Sequence, residues 1–277
     1  MTGTPIRLDG AAVAITGAAR GIGLVTAKAF AAKGSHVFLG DLDAELAAAE
    51  AASIGGRGFG LDVRSRASFA EFLDAVDGPL TVLVNNAGIM PAGEFATEDD
   101  AITEAIVDIN LNGVLIGTKL ALGGMLDRGA GHIVNVGSYL GKLPAAGLAT
   151  YCASKHAVVG FTEALRDELA GTGFTLSAVL PSAVRTELTA GVRLGGLLPT
   201  VDPELIADEV VASCRHRGAI VAVPRWMRSY ETAAAVLPDR LLGAVRGPLT
   251  RERVLRTLDT DARSGYDQRV RTNIATR

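Results

Sequence analysis

An apolar run, Ala11 to Thr16, breaks on a glycine turn and resumes at Gly21 with helical periodicity through Lys33, where Gly34 stops it. A short apolar strand joined to a helix by so tight a turn is half of a βαβ unit, and the same alternation recurs along the chain. Further strands are predicted at Ser35 to Gly40, Gly58 to Leu61, Leu80 to Val84, His132 to Val136, Thr175 to Leu180 and Ala219 to Val223. Helices are predicted at Asp43 to Ser53 (with Asp43 as N-cap), Ser65 to Val76, Glu98 to Leu120, Thr150 to Ala170 and Asp202 to Arg215. The strands are apolar throughout rather than alternating, as expected when helices cover both faces of a parallel sheet. The expected fold is therefore α/β, a single doubly wound parallel sheet of about seven strands flanked by helices. Residues 1–224 form one domain, because no Ser/Pro/Gly-rich linker divides the series.

Composition narrows the function classes. The chain has 277 residues, 48% hydrophobic but only 5% aromatic, so its core is built from Ala, Val, Leu and Ile. Such a chain can bury a real core and is not disordered. A net charge of −3 gives no basic field for nucleic acid, and no nucleic-acid partner is expected. Cys152 and Cys214 form no CxxC, and the four histidines form no ligand-spaced pair, so neither a disulfide framework nor a metal site is expected. His132 is read as a strand-end residue. Met1 to Gly10 lacks the pattern of a signal peptide, and no uncharged, unbroken apolar stretch is long enough to insert stably in a membrane. A soluble, cytoplasmic protein is expected. The segment 225–277 differs: 11 arginines against 6 acidic residues give it a net +5.

The turn Thr16-Gly17-Ala18-Ala19-Arg20-Gly21-Ile22-Gly23 lies where a dinucleotide fingerprint must lie, between a strand and its helix. Gly17 makes the tight turn, Gly21 lets backbone approach a pyrophosphate, and Gly23 permits close helix packing. The helix N-terminus then supplies N–H groups for the phosphates. Asp41, 24 residues after Gly17, ends the second strand. A carboxylate there accepts from the adenosine ribose hydroxyls and repels a 2′-phosphate, which argues for NAD. Arg20 pulls toward NADP, but its side chain is expected to swing to solvent and leave Asp41 in control. Asp62, with Val63 beside it, is placed near the adenine edge. Asn85-Asn86-Ala87-Gly88 ends the fourth strand, where amides can lock strand ends and line the cofactor crevice.

Tyr151 and Lys155 are four apart at the start of a helix and share a face. A nearby ammonium and the nicotinamide charge bring a phenol toward useful basicity. Ser138 ends the fifth strand at the same sheet edge, where its hydroxyl can hold a substrate oxygen. Asn110 sits in the long helix, where its side chain is expected to hold a water behind Lys155.

These residues together resemble the short-chain dehydrogenase/reductase family. The likeness rests on Thr16–Gly23, Asn85–Gly88, Asn110, Ser138 and Tyr151-Cys-Ala-Ser-Lys155, and spans Leu8 to Pro224. It implies a Rossmann sheet, assembly as a homotetramer or dimer, Tyr151 as acid/base, Ser138 orienting the reacting oxygen, Lys155 binding the nicotinamide ribose, and Asn110 holding a relay water. Pro181, Val184 and Thr186 match the family's carboxamide-binding turn, with Ser182 in place of its usual glycine. The expected substrate is a small apolar secondary alcohol or ketone, since Met90 to Ala92, Leu140 to Leu148 and Leu188 to Leu198 are mostly apolar; Lys142, Arg185, Glu187 and Arg193 are expected to face solvent. Two other readings are weaker: a catalytically silent NAD-binding regulator needs none of Ser138, Tyr151 and Lys155, and a membrane-surface protein would act through the basic tail. In that tail an apolar stripe from Trp226 to Gly247, broken at Pro238, is expected to be helical and to pack near the substrate loop or on a neighbouring subunit.

Overall fold

The computed structural model describes residues 5–192, 198–216, 218–229 and 253–275. At its centre are seven strands: β1 (Ala12–Thr16), β2 (His36–Asp41), β3 (Arg57–Gly60), β4 (Leu80–Asn85), β5 (Gly131–Val136), β6 (Phe174–Pro181) and β9 (Ile220–Val223). They form one sheet in the order β3-β2-β1-β4-β5-β6-β9. All six pairings are parallel. The chain builds outward from β1 to β3, then returns to β4 and builds the other way. Helices α1 (Gly21–Ala31) and α7 (Pro203–His216) pack against one another on one face. The other face carries α3 (Arg66–Asp74) and the helix that ends at Asp127.

Strand periodicity explains the two cores. Val13 and Ile15 point into the layer with Phe30 and Ile206, whereas Ala12 and Ala14 face Phe69, Phe72 and Met125. With both sides of β1 buried, a run without polar alternation is what the fold needs. The strand order reverses between β1 and β4, which opens a crevice at their carboxyl ends. Thr16, Asp41, Asn85 and Val136 end their strands at that one edge.

Several boundaries move. The helix expected over Glu98 to Leu120 runs instead from Asp100 to Asp127, as α4 (Asp100–Val107), a π turn (Asp108–Asn112) and α5 (Gly113–Asp127). Glu98 stays outside because its carboxylate accepts from the Thr103 and Thr150 hydroxyls, and Asp99 caps the helix by accepting from Ala101 N–H. Gly123 and Gly124 do not stop it; Met125 is buried beyond them, and Gly129 with φ +61 follows. By length and hydropathy this helix would suffice to cross a membrane. Its apolar residues Val114, Ala121 and Met125 are buried in the fold. His132 is wholly buried between the Thr175 and Ser213 hydroxyls, 2.8 and 3.1 Å away.

Two-residue strands β7 (Ala183–Val184) and β8 (Thr200–Val201) pair beyond β6 and shape the loop after it. They are too short for any sequence pattern to reveal. After residue 252 come α8 (Arg253–Thr257) and α9 (Thr260–Ala275). Residues 230–252, which hold most of the predicted apolar stripe and Pro238, lie outside the described residues, as do residues 193–197 with Arg193.

Candidate active site

The glycine turn is tied to β4 by a small network. Thr16 Oγ1 accepts from the N–H groups of Asn86 and Ala87, each at 3.0 Å, and Asn86 Nδ2 donates to the carbonyls of Thr16 and Gly17 at 2.9 Å. A Cβ on Gly17 would lie 2.7 Å from Ala87 Cα, and one on Gly23 would lie 2.3 Å from the Gly17 carbonyl oxygen. Neither position admits a side chain. Gly21 has φ +56, a conformation that disfavours a side chain, and a Cβ there would meet Thr186 Cγ2 at 3.7 Å, so backbone is left bare there. No side chain caps α1 and its first turn carries no acid, so its leading N–H groups remain for an anion.

At the end of β2, Asp41 Oδ2 accepts from Ala19 N–H (3.0 Å) and Oδ1 from Asp43 N–H (3.1 Å). Each oxygen keeps further acceptor capacity on the cavity side. Arg20 sits in a solvent-exposed ion pair: its guanidinium donates to Asp43 Oδ2 at 2.7 Å. Asp43 therefore both caps α2 (Ala44–Ser53) and occupies Arg20. Asp62 is bound by Arg64, whose Nε and Nη2 reach its two oxygens at 2.8–3.0 Å. Its carboxylate raises the pKa of Arg64. Val63 is buried beside it and, like Asp62, lines the cavity.

The cavity, about 980 Å³, runs from the glycine turn to the loop after β6. It is lined by Gly17, Arg20, Ile22, Asp41, Asn86, Ala87 and Gly88 at one end, and by Ser138, Tyr151 and Lys155 deeper in. Pro181, Val184 and Thr186 line it opposite. Ser182, which stands in place of a glycine, fits by donating its hydroxyl to the Pro199 carbonyl at 2.7 Å.

Tyr151 and Lys155 project from α6 (Ala149–Glu168), both buried. The Tyr151 hydroxyl lies beside Ser138. Burial pushes the phenol above its ordinary range, and the neighbouring Ser138 hydroxyl opposes that shift. Lys155 Nζ donates to the Val136 carbonyl at 3.0 Å and lies 5.8 Å from the Tyr151 ring centre. Burial lowers its pKa to about 8. A buried ammonium with one neutral partner is suited to further acceptors such as ribose hydroxyls.

Asn110 has protein partners on both ends of its amide. Its Oδ1 accepts from Ile89 N–H (2.8 Å), and its Nδ2 donates to the Ile89 carbonyl (2.9 Å) and Ser154 Oγ (3.2 Å). The amide is committed to pinning the segment after β4 against α6. It sits in the π turn, a local widening of helices common at functional sites.

The substrate end has a wall that sequence reasoning missed. Arg263 on α9 is fully buried. Its Nη1 donates to the carbonyls of Leu188 and Ala190 at 3.1 Å, its Nη2 to that of Met90, and its Nε lies 3.1 Å from Asp267. One guanidinium thus joins the loops after β4 and β7 to the C-terminal helix. Tyr266 and Arg269 follow on the same helix face; Arg269 pairs with Glu187 at 2.6 Å. Glu187 and Arg185 are both exposed, as expected, and both stand at the cavity rim, where Arg185 pairs with Asp202; Lys142 pairs outside it with Glu163. Met90, Leu140, Leu188 and Val192 supply apolar lining. Arg263→Met is expected to leave three carbonyls without their donor and to destabilise the protein by roughly 2 kcal/mol. Limited proteolysis should then cut first within 253–275. Unchanged stability and protection would show that the clamp is dispensable.

The arrangement fits a nicotinamide dinucleotide: a cradle closed to side chains, helix N–H groups with no side-chain cap, a carboxylate at the end of β2 on the same cavity, and a buried ammonium. Comparison with known proteins agrees. A family model described as short chain dehydrogenase matches residues 11–195. A D-threitol dehydrogenase of Mycolicibacterium smegmatis is 39% identical over 236 residues, 78% of this chain and 90% of that protein. A 2-(S)-hydroxypropyl-CoM dehydrogenase of Xanthobacter autotrophicus is 40% identical over 198 residues, 69% of this chain and 77% of that protein. A 2,5-dichloro-2,5-cyclohexadiene-1,4-diol dehydrogenase of Sphingobium indicum is 36% identical over 194 residues, 67% of this chain and 78% of that protein.

Proposed function

The chain belongs to the short-chain dehydrogenase/reductase family of oxidoreductases, and from that membership we propose that it interconverts an apolar secondary alcohol and its ketone using NAD(H), with Tyr151 as general acid/base. The observation that carries the reading is one cavity shared by a side-chain-free glycine cradle and the Ser138–Tyr151–Lys155 group.

Nicotinamide, when bound, supplies the acceptor or donor of hydride. The protein's own residues do the rest. The Ser138 and Tyr151 hydroxyls hold the reacting oxygen between them. In oxidation Tyr151 takes the alcohol proton, and in reduction it returns one. Lys155 binds ribose hydroxyls and, as an ammonium near the ring, favours the phenolate. Asn110 acts at one remove, by fixing the 88–90 segment that faces Lys155. A cytoplasmic location and assembly as a homotetramer or dimer complete the proposal. The relatives named above are dehydrogenases and others at least as similar are ketoacyl reductases, in keeping with alcohol–ketone chemistry in either direction.

Asp41 and the Arg20–Asp43 pair support NAD. A 2′-phosphate would meet the Asp41 carboxylate, while the cation best placed to receive it is already paired. NAD is expected to exceed NADP at least tenfold in kcat/KM, about 1.4 kcal/mol. Asp41→Ala should shrink that gap and also raise KM for NAD, since the Ala19 and Asp43 N–H groups lose their acceptor. Initial rates on a panel of apolar secondary alcohols with both cofactors test this. Equal or better use of NADP by the unaltered protein would sink the assignment.

A further inference from the structure

We propose that Tyr266 contacts the substrate, donating its phenolic proton to a second oxygen, a hydroxyl or carbonyl near the reacting carbon. The proposal rests on the oxidoreductase reading and narrows its substrate class. The preferred substrate becomes a mostly apolar alcohol or ketone that carries one more oxygen a carbon or two away.

The placement begins with helix geometry. Tyr266, Val270 and Asn273 stand three and four apart on α9, so they share a face, and that face lines the cavity that holds Ser138 and Tyr151. Tyr266 is near enough to Tyr151 that a charge on one phenol would oppose ionisation of the other. The hydrogen-bond inventory then assigns a direction. A phenol has one proton to give and lone pairs to receive. The Tyr266 hydroxyl receives from Met90 N–H at 2.8 Å. Among the described residues nothing accepts its proton. The proton is thus left for an acceptor within the cavity.

The group is also held still. The Arg263 guanidinium lies 4.8 Å from the Tyr266 ring centre and Arg269 lies 5.8 Å from it. Arg263 is itself clamped to loops on both sides of the cavity. Burial pushes the Tyr266 phenol up to about 12 despite those cations, so it remains a donor at any working pH. A rigid neutral donor set among Met90, Leu140, Leu188 and Val192 recognises one uncharged oxygen on an otherwise apolar body.

The test compares heptan-2-ol with heptane-2,3-diol and heptane-2,4-diol, in the wild-type and Tyr266→Phe proteins with NAD. The wild type should prefer one of the diols at least tenfold in kcat/KM. Tyr266→Phe should lose about tenfold on that diol and stay within about twofold on heptan-2-ol. A purely structural role, pinning Met90, would lower both substrates together and leave their ratio unmoved; that result, or a wild type indifferent to the second oxygen, overturns the proposal. If no alcohol is oxidised with either cofactor, it is the oxidoreductase reading that fails. Calorimetric titration of the diols into both proteins then still decides the contact. Binding about tenfold tighter to the wild type upholds it, and equal or absent binding overturns it.

Discussion

Tyr151→Phe is expected to lower kcat at least ~10²-fold, the low end for removal of a general acid or base, while NAD affinity stays within about twofold. The substitution is close to isosteric in a site where Tyr151 packs among Leu143, Leu148 and Cys152, so little repacking follows. What disappears is the group proposed to exchange a proton with an oxygen held by Ser138. The Ser138 hydroxyl keeps its bond from Leu140 N–H, so its position is held. Steady-state rates and cofactor titration, run on the same samples, separate chemistry from binding. Near-normal turnover in this variant would reject Tyr151 as the acid/base.

What is legible in the sequence is the part built from period and turn. An apolar run, a glycine turn and a helix announce β1, its turn and α1, because backbone sterics leave Gly17 and Gly23 no substitutes. Thr16 is legible as part of the turn, but its hydroxyl, which fastens β4 to β1, is not, since threonine at a strand end carries no pattern of its own. Asn110 is legible as a site residue but its contacts are not, because nothing in a sequence shows that Ile89, 21 residues earlier, would meet both ends of its amide. The C-terminal wall is hidden for a clearer reason. Buried helix faces show themselves in a sequence as apolar stripes, and α9 buries an arginine and one valine. Arg263 can be buried because three backbone carbonyls surround it, and those belong to loops whose approach to α9 is a tertiary fact. A cation at that spacing from Tyr266 and Val270 is the available signal, and an Arg-rich composition masks it.

Lys155→Met is expected to cut kcat/KM roughly 10³-fold and yet to make the cofactor-free protein more stable at neutral pH. Both effects follow from one buried ammonium. Function needs it twice, to hold ribose and to favour the Tyr151 phenolate. Folding is set against it, because burial lowers its pKa from 10.5 to about 8. The unfolded chain therefore binds this proton more tightly than the folded one. Below pH 8 both states are protonated and the folded state bears the whole penalty, on the order of 3 kcal/mol at most. As pH rises from 8 to 10.5 the folded lysine neutralises first, and the penalty fades. The stability advantage of Lys155→Met should accordingly be full at pH 7, shrink through that window and be gone above it. Loss of the Val136 carbonyl's donor reduces the gain but does not change with pH. Denaturant melts of both cofactor-free proteins at pH 7, 9 and 10.5 measure the difference, and saturating NAD should favour the wild type alone. An advantage that does not vary with pH would mean that Lys155 is not strained by burial, and that the site bears no stability cost for the cation its chemistry requires.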